Sequence, residues 1–188
     1  VKGDKIIKKY QHRIPRKSEG YFLKIEKDCI VIAGADERGA YYGVQTLAQL
    51  LALDKLPLAE VTDYPDVPYR GVVEGFYGAP WSQEACIRQL DFYGRNKMNV
   101  YIYGPKDDPY HRTPNWRKPY PAREGEELKV LVNRAKENNV IFYWAIHPGQ
   151  DIRWNEEDRS LLLQKFESMY QLGVRGFAVF FDDISGEG

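Results

Sequence analysis

Asp182 and Asp183 stand side by side behind an apolar run, Phe177-Ala178-Val179-Phe180-Phe181, and ahead of Ile184-Ser185-Gly186-Glu187-Gly188. Two adjacent carboxyls can divide acid and base work. Crowding pushes one pKa up, so that this acid keeps its proton while its neighbour stays ionised. Glycoside hydrolysis needs that division. Neighbouring side chains on a regular strand point to opposite faces, so both acids face one pocket only if the backbone leaves the strand near Asp182. The competing reading is a solvated pair capping a strand.

The elements that must position these acids repeat a strand-then-helix unit from Tyr69 onward. Strands are predicted at residues 70–75, 98–103, 140–146 and 174–181, with helices at 83–95, 125–138 and 155–172. Ser82 and Asn155 are candidate N-caps. Such alternation implies parallel pairing, and the continuous apolar strands suit a sheet buried on both faces. Each strand runs into a polar, glycine-bearing loop: Gly75-Phe76-Tyr77-Gly78, Gly104-Pro105-Lys106-Asp107-Asp108, His147-Pro148-Gly149-Gln150-Asp151 and Asp182-Asp183-Ile184-Ser185-Gly186. In a β/α barrel all four would open at the end where active sites sit.

The first third predicts a smaller α/β unit. Residues 21–26 and 29–34 form a hairpin about Lys27-Asp28, and Asp36-Glu37-Arg38-Gly39 opens a helix to about Leu53 with Tyr42, Val44, Leu47, Leu50 and Leu51 on one face. Prolines in residues 61–68 favour extended backbone, which puts a domain boundary near Asp66. With 29% charged residues and zero net charge, the composition is globular, with no basic excess for nucleic acid. No apolar stretch approaches the roughly 20 residues of a membrane span. Cys29 and Cys86 read as buried thiols rather than a bridge. His12, His111 and His147 show no paired metal-ligand spacing, and His147, at a strand end, is read as making an orienting hydrogen bond. Asp107 and Asp108 are read as loop-ordering groups.

Three of these stretches, Tyr69-Arg70-Gly71-Val72-Val73-Glu74-Gly75-Phe76-Tyr77-Gly78, Tyr103-Gly104-Pro105-Lys106-Asp107-Asp108-Pro109-Tyr110 and Phe181-Asp182-Asp183-Ile184, closely resemble glycoside hydrolase family 84. These are the O-GlcNAcase-type β-N-acetylglucosaminidases, and the bacterial members look nearest. The resemblance covers residues 67–188, and the front segment looks like the small α/β domain that precedes the barrel in that family. It implies residues 1–66 as part of that N-terminal α/β domain and 67–188 as the first four strand–helix units of a (β/α)8 TIM barrel, a truncated one. It implies removal of terminal N-acetylglucosamine from glycans or glycoproteins with retention of configuration, without cofactor, metal, nucleic acid or membrane, and favours a secreted or periplasmic setting.

The resemblance also implies roles. Asp182 holds the acetamido N–H of the sugar and stabilises an oxazoline-like intermediate, while Asp183 serves as general acid and then base. Lys106 bonds sugar hydroxyls, and the carbonyl of Gly75 meets another; the competing reading of Gly75 is a turn that needs positive φ. Four strands instead of eight leave two open sheet edges, which predicts self-association and little activity for this piece alone. Three readings stay open from the residues: the hydrolase, a non-catalytic N-acetylglucosamine-binding module, and a metal-dependent hydrolase using the Asp107-Asp108 and Asp182-Asp183 pairs.

Overall fold

The computed structural model describes residues 2–182, and the side chains of all of these except residues 2–5 and 150. The chain divides into two units, one holding the residues up to Tyr69 with Arg95–Lys97, the other Arg70–Gly94 and the residues from Met98 on.

The first unit begins with helix α1 (Lys2–Tyr10) and then builds a three-stranded antiparallel sheet in the order β2 (Ile30–Gly34), β1 (Tyr21–Ile25), β3 (Ala59–Asp63). The hairpin pairs Tyr21 with Gly34 and Ile25 with Ile30. The predicted boundary segment begins inside β3, which pairs along the whole length of β1. Residues 61–63 of that segment are therefore strand, and the residues from Tyr64 to Pro68 form no regular element. Helix α2 (Glu37–Leu51) starts at Asp36, whose Oδ1 accepts the Gly39 amide at 2.8 Å. Tyr42 is buried against Tyr21, Leu23 and Ile25, with Leu47 and Leu50 packed beside them. Val44 and Leu51, expected on that same face, are exposed instead. Steps of two and one turn a helix by about 200° and 100°, which carries both side chains past the buried stripe.

The second unit is a four-stranded parallel sheet in chain order: β4 (Gly71–Glu74), β5 (Val100–Tyr103), β6 (Ile141–Ile146) and β7 (Gly176–Val179). Helices α3 (Gln83–Arg95), α4 (Ala122–Glu137) and α5 (Glu156–Gln171) make the crossovers. Both expected caps are in place: Ser82 Oγ accepts the Ala85 amide at 3.2 Å and Asn155 Oδ1 the Asp158 amide at 2.9 Å.

Register puts Val72, Tyr101 and Phe142 in one row and Glu74, Tyr103, Trp144 and Phe177 in the next. Both rows face the helices and join a core with Leu90, Leu128, Leu131, Met169 and Val174. The opposite face carries Val73, Ile102 and Tyr143. Val73 is 53% exposed while Ala145 is fully buried, so among the described residues no helix covers this face and it is open at β4, against the expectation of a sheet buried on both faces. The apolar pattern called for a second cover that residues 2–182 do not supply. No described helix is long and apolar enough to cross a membrane.

Candidate active site

Parallel strands release their carboxyl ends on one side of the sheet, and the site residues collect there. Alternation along β6 puts Ala145 and then His147 on the helix-free face. The same alternation beyond β7 puts Ala178, Phe180 and Asp182 there. The two strands stay paired to this point, with Phe180 N donating to Ile146 O at 2.7 Å.

Asp182 is held from both sides. Lys106 Nζ lies 2.5 Å from its Oδ2 and His147 Nε2 lies 3.0 Å from its Oδ1. Asp182 itself is 49% exposed, whereas the side chains of Lys106 and His147 are 8% and 6% exposed. The Lys106 hydrogen bond holds the Asp182 carboxyl below the usual carboxylate range, with His147 and the lysine charge adding to it and partial burial opposing it. A base that stays ionised is thus built at the strand end. Asp183 lies outside the described residues. Gly75 follows β4, and its φ is outside the left-handed region. A Cβ there would meet nothing closer than Val73 Cγ1 at 3.4 Å. The positive-φ reading of Gly75 is therefore wrong.

Lys106 sits on a long loop that could wander but does not. Asp108, 8% exposed, accepts hydrogen bonds from Tyr103 Oη (2.9 Å), Tyr120 Oη (2.7 Å) and the Tyr110 amide (2.7 Å). His111 Nε2 bonds Pro105 O at 2.7 Å, and Arg112 Nη1 donates to Lys106 O at 3.0 Å. Asp108 is thus committed to ordering the loop and is not free to join Asp182 around a metal. Among the described residues no group of three or more His, Cys, Asp or Glu is placed to hold one. Farther along, Asp151 accepts from Thr113, Trp116 and Arg117 at 2.8–2.9 Å, and Arg117 also grips buried Asp158 at 2.5 Å.

Two buried features went unforeseen. Glu74 lies under α3, where burial raises its pKa, and it accepts from Trp81 N at 3.1 Å and from the Tyr101 hydroxyl. Cys86 beside it is a buried thiol pushed up to about 11 by burial and the Glu74 charge; Cys29 is free and only half-buried. The second feature is Lys165, buried with its ammonium 4.4 Å from the Tyr120 ring centroid and 2.5 Å from Lys118 O. A cavity of about 440 Å³ lined by Glu74, Trp81, Tyr103 and Asp108 lies on the helix side, and one of about 900 Å³ lies in the first unit beside Lys8 and Arg16. Neither is lined by Lys106, His147 or Asp182.

A parallel sheet with helical crossovers and a carboxylate held between Lys106 and His147 beyond its carboxyl edge is the arrangement in which β/α enzymes place their sites. Residues 70–188 match the family model described as beta-N-acetylglucosaminidase, and residues 7–64 match glycosyl hydrolase family 20, domain 2. The chain is 43% identical over 115 residues to protein O-GlcNAcase of Rattus norvegicus, spanning 61% of this chain and 12% of that protein. It is 36% identical over 95 residues to a beta-hexosaminidase of Vibrio vulnificus, spanning 50% of this chain and 11% of that protein. The solved structure of CpGH84B superposes with a TM-score of 0.85 at 48% identity, covering 90% of this chain and 31% of that one. The chain belongs to the β-N-acetylglucosaminidase family of glycoside hydrolases, the O-GlcNAcase-type family 84. It spans about an eighth of the length of the curated relatives it matches.

Proposed function

We propose that this chain carries the first half of a (β/α)8 barrel, residues 67–188, behind part of an N-terminal α/β domain, residues 1–66, in a retaining β-N-acetylglucosaminidase. The observation that carries the reading is the ionised Asp182 carboxylate held between Lys106 and His147 at the end of the sheet. The names of the relatives, O-GlcNAcase and beta-hexosaminidase, support terminal N-acetylglucosamine on glycans or glycoproteins as the group removed.

Retention without a protein nucleophile proceeds through the substrate's own acetamido group. Its carbonyl oxygen attacks the anomeric carbon as the bond to the leaving oxygen breaks, and Asp183 gives that oxygen its proton. Asp182 accepts the acetamido N–H and stabilises the positive charge of the oxazoline ring that forms. Asp183, now a carboxylate, deprotonates water, which attacks the same carbon and reopens the ring. Two inversions give net retention. Lys106 has three N–H donors, so one bond to Asp182 leaves others for sugar hydroxyls, and the Gly75 carbonyl accepts from another hydroxyl.

Asp183→Ala in the parent protein tests this. General acid help is worth about 10²–10⁴-fold, and the loss should be largest on substrates with poor leaving groups and small on activated aryl glycosides. An equal loss on both would exclude Asp183 as the acid. The open edges of β4 and β7 should make the isolated chain associate and turn over little. Full turnover by a clean monomer in light scattering would refute the half-barrel reading.

A further inference from the structure

His147 is the better-anchored partner of Asp182, and nothing in the scheme above requires it. We propose that His147 is a positioning residue: it fixes Oδ1 of Asp182 so that the carboxylate presents a constant edge to the acetamido group, while Lys106 fixes Oδ2. The inference rests on the hydrolase reading and adds to it a residue with no contact to the sugar.

The imidazole is itself immobile. Its residue is 5% exposed, its backbone amide donates to His111 O at 2.7 Å, and it bridges Arg112 in parallel pairing. Pro148 then restricts the backbone, and Gly149 turns it at a φ of 60°. Asp182 has none of this. It sits half-exposed in the turn beyond β7, where a carboxylate with solvent on one side would sample several rotamers. Two N–H donors arriving from β6 and from the β5–α4 loop, one on each oxygen, remove that freedom. A misplacement of about 1 Å at a reacting centre can cost about 100-fold in rate.

The donor follows from the geometry. Only an N–H can face a carboxylate oxygen at 3.0 Å, so the Nε2 atom carries hydrogen. Nδ1 is buried with no hydrogen-bond partner among the described residues. Around Nδ1 stand Gly149 and Thr113, whose hydroxyl is engaged by Asp151 at 2.9 Å. Among the described residues the charged groups facing the pair are Lys106 from the β5–α4 loop and Asp182 itself; Arg112, paired in backbone with His147, sends its guanidinium to Lys106 O.

The test compares His147→Ala and His147→Gln in the parent enzyme on an aryl N-acetyl-β-glucosaminide. His147→Ala should lower kcat by about 10–100-fold with KM within about threefold. The acid limb of kcat/KM should move to higher pH, because Asp182 loses one of the contacts that keep it ionised. His147→Gln, which keeps an N–H at similar reach, should recover most of kcat. An unchanged kcat, a rise in KM alone, or a glutamine variant no better than alanine at equal melting temperature would overturn the proposal. Asp182→Asn is the control. If it abolishes turnover while His147→Ala is silent, only this proposal fails; if Asp182→Asn is silent, the hydrolase reading fails. Independently of turnover, the Asp182 carboxyl titration followed by 13C NMR in this chain should move upward in both Ala and Lys106→Met backgrounds, and an unmoved titration in His147→Ala overturns the clamp.

Discussion

The antiparallel sheet of the first unit and the parallel sheet of the second handle polar groups in opposite ways. Among the described residues the first unit buries one charged side chain, Glu19. The second buries Glu74, Asn99, Asp108, His111, His147, Asp158 and Lys165. The cations of the first unit pair near its surface instead, Arg13 and Lys24 with Glu60 and Lys97 with Asp63. Topology explains the contrast. Antiparallel strands alternate their ends, so loop groups disperse over both edges of the sheet. Parallel strands deliver every carboxyl end to one side, where polar loops crowd together, exclude water and must satisfy one another. The difference teaches that the unit holding the candidate site is also the one that buries polar side chains, and the substitutions below are ways to break or sharpen that claim.

Asp158 should show the largest effect. It is buried at the start of α5, accepts from Arg117 at 2.5 and 2.6 Å, and also accepts the Arg153 amide at 2.8 Å. Removing one member of a buried pair costs about 3–5 kcal/mol, so Asp158→Ala should lower the unfolding free energy by that much in denaturant titration. The Arg117 hydrogen bonds hold its carboxyl at about 2, whereas the unfolded chain titrates near pH 4. Its contribution is therefore complete above about pH 4 and disappears as pH falls through about 2. If Asp158→Ala costs no more than the loss of a surface cap, the contrast between the two units collapses.

Gly149→Ala comes next. An alanine would hold a φ of 60° that L-residues rarely adopt, and its Cβ would sit 2.9 Å from Thr113 Oγ1 and 3.2 Å from His147 Nδ1. Such strain costs about 1–3 kcal/mol. The melting temperature should fall, and in the parent enzyme kcat should fall with it because the imidazole shifts away from Asp182. A stable variant with unaltered kcat would show that His147 tolerates displacement.

The matching test in the first unit is Asp36→Ala. Its carboxylate caps α2 through Gly39 N and also accepts from Glu19 N at 2.8 Å and Ser18 Oγ at 3.0 Å. Burial opposes ionisation there, yet the two amides hold the carboxyl below its ordinary range. Losing a cap costs about 1 kcal/mol, read as faster hydrogen exchange in the first turn of α2 and unchanged exchange in β5 and β6. Protection lost equally in both sheets would mean that the cap does more than local work.

What the residues revealed in advance follows the range of each interaction. Ser82 and Asn155 were legible as caps because a side chain meets an amide three residues on, and the helix-strand alternation was legible for the same local reason. β3 was hidden because its strand character comes from pairing with β1, some 38 residues away. For His147 an orienting bond was expected, but its acceptor, Asp182, is 35 residues distant and only the parallel register brings them together. Nothing in Leu162-Leu163-Gln164-Lys165-Phe166 separates a buried lysine from a solvated one. The aromatic rings that enclose it come from the β5–α4 loop and β6.

That lysine gives the smallest effect and the finest probe of buried polarity. Burial lowers Lys165 to about 8, against the opposing pull of Asp108, while the unfolded chain holds its proton to about 10.4. Between those values the unfolded chain binds more protons, so stability rises with pH through this group. Cys86, raised to about 11, acts in the reverse sense, because the unfolded thiol deprotonates first, and the two slopes partly cancel in the wild type. Lys165→Met separates them. At pH 7 the change in stability should be within about 1 kcal/mol, since a buried charge replaced by a flexible apolar chain is often neutral. Between pH 8 and 10 the variant should lose stability relative to wild type. Parallel pH profiles for the two proteins would mean that Lys165 titrates as a solvated lysine, and the polar interior of the second unit would then be held by its carboxylates alone.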